Sequence, residues 1–402
     1  MSTAWRRRLK LALGTVVAVV LGSNALTLVE VFGGRKSQYR DSPLVLHADF
    51  IAYYTAAKMV VGGMGHHLYN LFLQAPIEAQ VTGPGYTLVP FVNPPFLALM
   101  LAPLGRLPYL TAFVTWDVLM LAAIVGAVLL LVQSAGFKGT GAWLAAGIAL
   151  ATTSILVVLL MGQSTAFVLL GLALCYWCWQ KDKMGWAGAA LALTLFKPNL
   201  VLLMPLLLVA RREWRALAWF GIASAVLVVV SAIAFGPQVW VDYLRLIGPQ
   251  AAGTAMDWTT GARTQFGLLG ILLAIGLSQQ VGLVICAGFG LWLVQKIWRQ
   301  KGQLPMDYAL CVLASFVIAP HANFHDASIL VAAGILLAGV LAHDKRSSLF
   351  DKLVLGLAIL AGMTIVLAPA IATAFFLLLW LVHLDYTRHI LSPTGASQAA
   401  KL

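Results

Sequence analysis

The sequence predicts an all-α, polytopic integral membrane protein, and three observations carry that prediction. Apolar residues make up 61% of the chain and charged residues only 10%, against roughly a quarter charged in soluble domains. Apolar runs recur along the whole length, at residues 11–32, 109–132, 142–160, 163–179, 217–235, 266–294, 308–319, 327–342 and 353–384. Several reach the roughly 20 residues that a spanning helix needs. Basic residues cluster in short stretches between the runs. In lipid a spanning segment must satisfy its own backbone hydrogen bonds, so we expect one helical domain over residues 1–402 with roughly 10–13 spans, some short or re-entrant.

Trp5-Arg6-Arg7-Arg8 precedes the first run, as in a secretory leader. The run is too long for a leader and lacks a small-x-small cleavage site, so it reads as a retained span. Basic clusters at Arg6–Lys10, Lys181–Lys183, Arg211–Arg215, Lys296–Lys301 and Lys345–Arg346 mark short cytoplasmic loops. The amino terminus is then cytoplasmic, and residues 33–90 and 236–264 form the first and second extracytoplasmic loops. The net charge of +12 reflects this bias together with attraction to anionic lipid. No basic soluble module for nucleic acid is present.

Counting spans exposes a conflict. Four apolar segments (91–105, 109–132, 142–160 and 163–179) separate the first loop from the Lys181 cluster, and an even number cannot cross from outside to inside. One must be short, broken or re-entrant, with Pro94-Pro95 and Gly162-Gln163 as the marked positions. Residues 186–210 begin and end beside basic clusters with Lys197-Pro198-Asn199 midway, which predicts two short helices with Lys197 near their turn. Irregular backbone at membrane depth is tolerated only against protein or a water-filled cavity, so these breaks point towards a site. Cys175, Cys178, Cys286 and Cys311 all lie in apolar segments, and the Cys175-x-x-Cys178 spacing reads there as packing, not redox chemistry. Gly62-Gly63-x-Gly65 precedes no strand–helix unit and reads as a turn.

Asp49 is the first residue that invites chemistry. It lies in the first loop within His47-Ala-Asp-Phe-Ile-Ala-Tyr-Tyr-Thr-Ala-Ala-Lys58, and an acid beside a bilayer is costly unless it has a function. If the segment is helical, Asp49 and Tyr53 share a face with Ala52 and Ala56 close by, leaving room for a substrate hydroxyl; Tyr54 adds a second phenol. The alternative is a solvated acid or a helix cap. Lys197 is the second, expensive near mid-membrane by about 3 kcal/mol and usually turned to a cavity or an anion, with snorkelling to the interface as the alternative. Third comes Pro320-His321-Ala-Asn323-Phe-His325-Asp326. Its histidines and Asp326 suit proton transfer or metal binding with Asp49, although Asp326 also suits a helix cap. In the second loop, Trp240, Tyr243 and Trp258 read as interfacial aromatics, while Arg263 offers bidentate phosphate contacts.

Taken in order, these blocks resemble the polytopic glycosyltransferases of family 87. The first-loop signature is Asp49-Phe-Ile-Ala-Tyr-Tyr-Thr-Ala-Ala with Gly63 and Leu68-Tyr69-Asn70. Asn93-Pro-Pro-Phe96, Pro103-Leu-Gly-Arg-Leu-Pro108, Gly162-Gln163, Phe196-Lys-Pro-Asn199, Arg211-Arg-Glu-Trp214, Phe235-Gly-Pro-Gln-Val-Trp240 and Pro320…His325-Asp326 follow. The resemblance implies a GT-C-type bundle and a hexosyltransferase that uses a polyprenyl-phosphate sugar, often mannose. It implies a glycan or glycolipid acceptor and no cofactor beyond that donor, with a divalent metal left open. By the same resemblance Asp49 is the catalytic base and His325 its partner. Tyr53, Tyr54, Gln163, Lys197, Arg263, His321 and Asp326 are then expected around the substrates, on the extracytoplasmic face of a multi-pass cell-membrane protein.

The residues suit an inverting transfer on their own account. One carboxylate takes the proton from an acceptor hydroxyl as it attacks the anomeric carbon, and the phosphate leaves as a stable anion that needs positive charge, which Lys197 and Arg263 can supply. Two rivals remain: a transporter or lipid flippase, since buried charge and broken helices also mark transport sites, and a metal-dependent hydrolase using His47, Asp49, His321 and His325.

Overall fold

A computed structural model describes residues 48–83, 88–251, 266–363 and 370–390. The first apolar run, His47, Trp258 and Arg263 lie outside them. Among the described residues there are seventeen α-helices and no strand, as the composition requires.

The first helix, α1 (Ala48–Val61), carries Asp49 in its first turn. Next is α2 (Leu71–Thr82), where Asn70 caps the N-terminus by accepting from the Phe72 amide. α3 (Pro95–Leu101) opens on a proline and tightens into a 3₁₀ turn at Ala102–Arg106, while α4 (Tyr109–Ser134) is long and apolar enough to cross a membrane. α5 (Gly139–Leu150) and α6 (Thr153–Met161) meet at a 53° bend. α7 (Thr165–Gln180) leads to α8 (Met184–Leu191), and two 3₁₀ turns, Ala192–Phe196 and Pro198–Leu200, separate α8 from α9 (Leu203–Arg211). Lys197 sits between those turns, as expected for a lysine followed by proline.

The remainder comprises α10 (Trp214–Phe235), α11 (Gln238–Ala251), α12 (Leu268–Ala274), α13 (Gln279–Arg299), α14 (Leu304–Val317), α15 (Leu330–His343), α16 (Leu349–Met363) and α17 (Ala370–Ile390). One apolar run that reads as continuous is in fact divided. The run at 266–294 breaks after α12, where Gly276 adopts φ +90° and Ser278 caps α13. The run at 353–384 holds parts of both α16 and α17. Apolarity reports burial in lipid and says little about where a helix turns.

By length and composition, α4, α10, α13 and the Asp326–His343 helix can cross a bilayer, and the bent α5–α6 pair makes a fifth. The shorter apolar helices Pro95–Arg106, Thr165–Gln180, Met184–Phe196 and Leu304–Val317 pack with them. Among the described residues the five candidate spans and these four shorter helices make nine segments, and the first apolar run lies outside them. α10 shows what faces lipid: Ile222, Val226, Val229 and Ile233 are exposed on it, which in water would be an aggregation hazard and in a membrane is solvent contact.

Charge is gathered at two ends of this bundle. At one end Asp307, fully buried, receives Arg388 Nε at 2.6 Å and an Arg211 guanidinium nitrogen. Both arginines reach further, Arg211 to the Gly302 carbonyl and Arg388 to the Gln300 carbonyl. A side chain at Gly302 would collide with Asp307 and Arg388. Lys181 and Lys183 lie over Trp177, Arg212 over Trp298 and Lys296 over Trp292, the cation–aromatic pairing suited to an interface. The other end holds Asp49, Lys197 and Asp326. α14 connects the two, with Asp307 in its first turn and the 320–326 loop after its end; its 14 residues make it roughly 20 Å long. All four cysteines are free and buried in between.

Asp307→Ala removes the counter-charge of a buried guanidinium. We expect a loss of about 3–5 kcal/mol, read as a lower thermal denaturation midpoint in detergent. The double variant Asp307→Leu/Arg388→Met should lose less than Asp307→Ala alone.

Candidate active site

α1 lies against the 3₁₀ turn that follows α3, and the approach is close because residue 105 is glycine: a Cβ there would come 2.5 Å from the Ala57 carbonyl oxygen. Phe50 packs edge-on to Phe113, and Trp116 lies against Tyr53. This holds α1 with Asp49 and Tyr53 on one side. The i, i+4 spacing does put them together, since both meet Gln163.

Gln163 reaches them because α6 ends abruptly. Gly162 adopts a left-handed conformation with φ +67°, which glycine tolerates without strain. A Cβ there would come 2.6 Å from Phe50 Cβ, and its carbonyl accepts from Trp116 Nε1 at 2.8 Å. The chain therefore turns against α1, and Gln163 Nε2 donates to Asp49 Oδ2. The Tyr53 hydroxyl lies 3.3 Å from Gln163 Oε1 and 3.1 Å from Ser164 Oγ. Burial pushes the Tyr53 phenol above its ordinary value.

The second half of the site is built on Asp326. Its Oδ1 receives Lys197 Nζ at 2.7 Å and Thr165 Oγ1 at 3.1 Å, and its Oδ2 receives the Asn323 amide at 3.0 Å. Asp326 is not the helix cap that the sequence allowed, since His325 holds the N-cap position without a side-chain cap bond and the Asn323 contact reaches back up the chain; the other contacts make Asp326 the counter-ion of Lys197. The Lys197 side chain is 12% exposed and that of Asp326 3%. Lys197 thus pairs with an acid inside the protein and does not snorkel. Around it, Asn199 Nδ2 donates to the His321 carbonyl at 2.7 Å and Asn93 Nδ2 to the Phe196 carbonyl at 3.1 Å. Tyr69 in turn donates to the Asn93 carbonyl at 2.6 Å. The Leu203 amide, at the start of α9, is satisfied by Ser315 Oγ at 3.0 Å. Each backbone group freed by the break at Lys197 that appears in these contacts has gained a side-chain partner, as irregular backbone at this depth demands.

The histidines differ. His325 is buried with Nε2 3.4 Å from Asp326 Oδ1, and its Nδ1 has no hydrogen-bond partner. Burial outweighs the neighbouring carboxylates and lowers its pKa to about 4, so at neutral pH it is an uncharged imidazole with Nε2 directed at Asp326. His321 is open to solvent. Its Nε2 accepts from Asn323 Nδ2 at 3.3 Å. Gln163 on Asp49 and Thr165 on Asp326 belong to the single run Gln163-Ser-Thr165, so the two halves form one site. Among the described residues no group of three His, Cys, Asp or Glu side chains is arranged to hold a metal ion.

Of the expected residues, Asp49, Tyr53, Gln163, Lys197, His321, His325 and Asp326 converge here. Tyr54 does not: its hydroxyl donates to the Leu107 carbonyl at 2.8 Å and its ring meets Tyr109. Arg263 lies outside the described residues. Thr165 and Ser164 went unnoticed in the sequence, although Gln163-Ser-Thr165 is a run of three polar residues between apolar segments. A family model for glycosyltransferase family 87 matches residues 91–320. That range includes Gln163 and Lys197 and excludes Asp49, His321, His325 and Asp326. The comparisons with curated proteins and with solved structures found no match.

Lys197→Met leaves Asp326 buried without its cation and should lower the yield of folded protein, while Lys197→Met/Asp326→Asn recovers it; gel filtration in detergent reads both. A second expectation concerns pH. The folded state favours neutral His325, so its contribution to stability is complete above about pH 6.5 and is lost as pH falls towards 4. His325→Gln should flatten the fall in denaturation midpoint across that window.

Proposed function

The chain belongs to glycosyltransferase family 87 and is a glycosyltransferase of the membrane; we infer that it transfers a hexose, with mannose favoured, from a polyprenyl-phosphate donor to a glycan or glycolipid hydroxyl. The observation that carries this reading is the position of Asp49, a carboxylate with one oxygen engaged by Gln163, on the same short run whose Thr165 binds the carboxylate paired with Lys197.

In the proposed reaction Asp49 takes the proton from the acceptor hydroxyl, whose oxygen attacks the anomeric carbon from the face opposite the phosphate. The carbon–oxygen bond to phosphate breaks, and its electron pair leaves with polyprenyl phosphate. Configuration inverts because there is a single displacement. No proton is needed by the leaving group, but positive charge is. Lys197, held in place by Asp326, offers its remaining N–H donors to the phosphate, with Arg263 as the second cation expected from the sequence. His325 faces Asp326 through Nε2 and acts in this reading by holding that carboxylate on Lys197. The His321 ring, open to solvent, lines the substrate side.

The face follows from charge. Arg211, Lys181 and Lys183 gather at the end opposite Asp49, and basic residues stay cytoplasmic, which supports an extracytoplasmic site.

Membranes containing the full chain should transfer mannose from polyprenyl-phosphate mannose to endogenous glycolipid, and Asp49→Asn should lose at least about a hundredfold in rate at equal expression. Undiminished transfer by Asp49→Asn would remove Asp49 from the role of base. Movement of donor across vesicles with no sugar transferred would favour a flippase.

A further inference from the structure

The contacts of Gln163 say more about Asp49 than that it is nearby. An amide nitrogen can only donate, so the Asp49 oxygen it meets must accept. The other end of the same amide can only accept, and the Tyr53 hydroxyl stands at 3.3 Å from it. Tyr53 keeps its proton, since burial raises its pKa, and its oxygen is approached by the Ser164 amide at 3.5 Å and Ser164 Oγ at 3.1 Å. Every group in the series can therefore point the same way: Ser164 to Tyr53, Tyr53 to Gln163, Gln163 to Asp49. Reversing the amide would set its NH₂ against the tyrosine and its carbonyl against the carboxylate, two acceptors face to face. Tyr53, Gln163 and Ser164 are all buried, where an amide oriented the wrong way is costly. Gln163 is fixed at its root by the left-handed Gly162 and by Trp116 on the Gly162 carbonyl. Asp49 Oδ1 has no hydrogen bond from any described residue.

We propose that Gln163 is a positioning residue, not a substrate ligand: with Tyr53 and Ser164 behind it, it holds Asp49 Oδ2 as a permanent acceptor and leaves Oδ1 as the single oxygen that receives the acceptor's proton. The role rests on the reading of Asp49 as base. It differs from simple packing because it makes the two carboxylate oxygens unequal: a donor fixed on one leaves the other to take the proton, so removing the donor should slow the transfer step while donor binding is kept.

The experiment compares the full chain in membranes with Gln163→Leu, Tyr53→Phe and Asp49→Asn. Infrared difference spectra, wild type minus Asp49→Asn, isolate the Asp49 carboxylate stretches, whose splitting reports how unequally its two oxygens are hydrogen-bonded. We expect that splitting to change in Gln163→Leu and by less in Tyr53→Phe, which keeps the ring and loses only the hydroxyl. With polyprenyl-phosphate mannose as donor, kcat in Gln163→Leu should fall about tenfold to a hundredfold with KM for the donor within about twofold. An unchanged splitting in both variants overturns the proposal, as does a raised KM at unchanged kcat, which would make Gln163 a substrate ligand. If Asp49→Asn transfers sugar normally, the base assignment fails, and that result is distinct from an unchanged splitting. Should Gln163→Leu fail to fold, Tyr53→Phe alone decides between these outcomes.

Discussion

The ion pair between Lys197 and Asp326 is the constraint around which this end of the molecule is arranged. A lysine between two short apolar segments cannot stay charged in low dielectric without a partner, and its partner is drawn from far along the chain, 129 residues on. Thr165 and the Asn323 amide bind the same carboxylate, so the N-terminus of α7, the break between α8 and α9 and the loop after α14 must all meet there. Once they do, the polar breaks lie side by side and can satisfy one another. Asn199 then reaches the His321 carbonyl and Asn93 the Phe196 carbonyl. The breaks that make the helices poor membrane spans are what make a site possible.

Much of this was legible in the sequence, and the legible parts have a common cause. Composition, run length and clustered basic residues report solvation, and solvation dictates helices in lipid. Lys197-Pro198 reports a break because proline restricts the residue before it, and the Asp49–Tyr53 spacing reports a shared face because a helix repeats every 3.6 residues. Pairing across the fold was not legible. Nothing local to Lys197 says that Asp326 neutralises it, so the lysine read as a free cation for phosphate. Tyr54 read as a neighbour of the substrate because it adjoins Tyr53, yet adjacent residues on a helix point about 100° apart, and its hydroxyl goes to Leu107 instead. The continuous run at 266–294 concealed the turn at Gly276 because its flanking residues are apolar on both sides.

The division of charge also explains why so apolar a protein can keep a polar site intact. The buried Asp307 cluster and the Asp49–Asp326 site share α7, α9 and α14 but no side chain. Between them lie Tyr176, Tyr308 and the buried cysteines, with Tyr308 donating to the Leu172 carbonyl at 2.8 Å and so leaving no unpaired phenol in the apolar middle. Rigid helices of modest length set the distance between the two ends, so substitutions that remodel one should leave the geometry of the other largely intact.

The Asp307 cluster has a bearing on how the protein is made. Arg211, Asp307 and Arg388 emerge from the ribosome in that order, with 81 residues between the carboxylate and its second guanidinium. Until α17 is delivered, Asp307 has one of its two arginines, and the Gln300 carbonyl lacks its Arg388 donor. Insertion of α17 closes that gap in one step. The last of these helices to be translated thus completes the cluster, and a nascent chain that has not yet made it leaves Asp307 Oδ1 without its guanidinium.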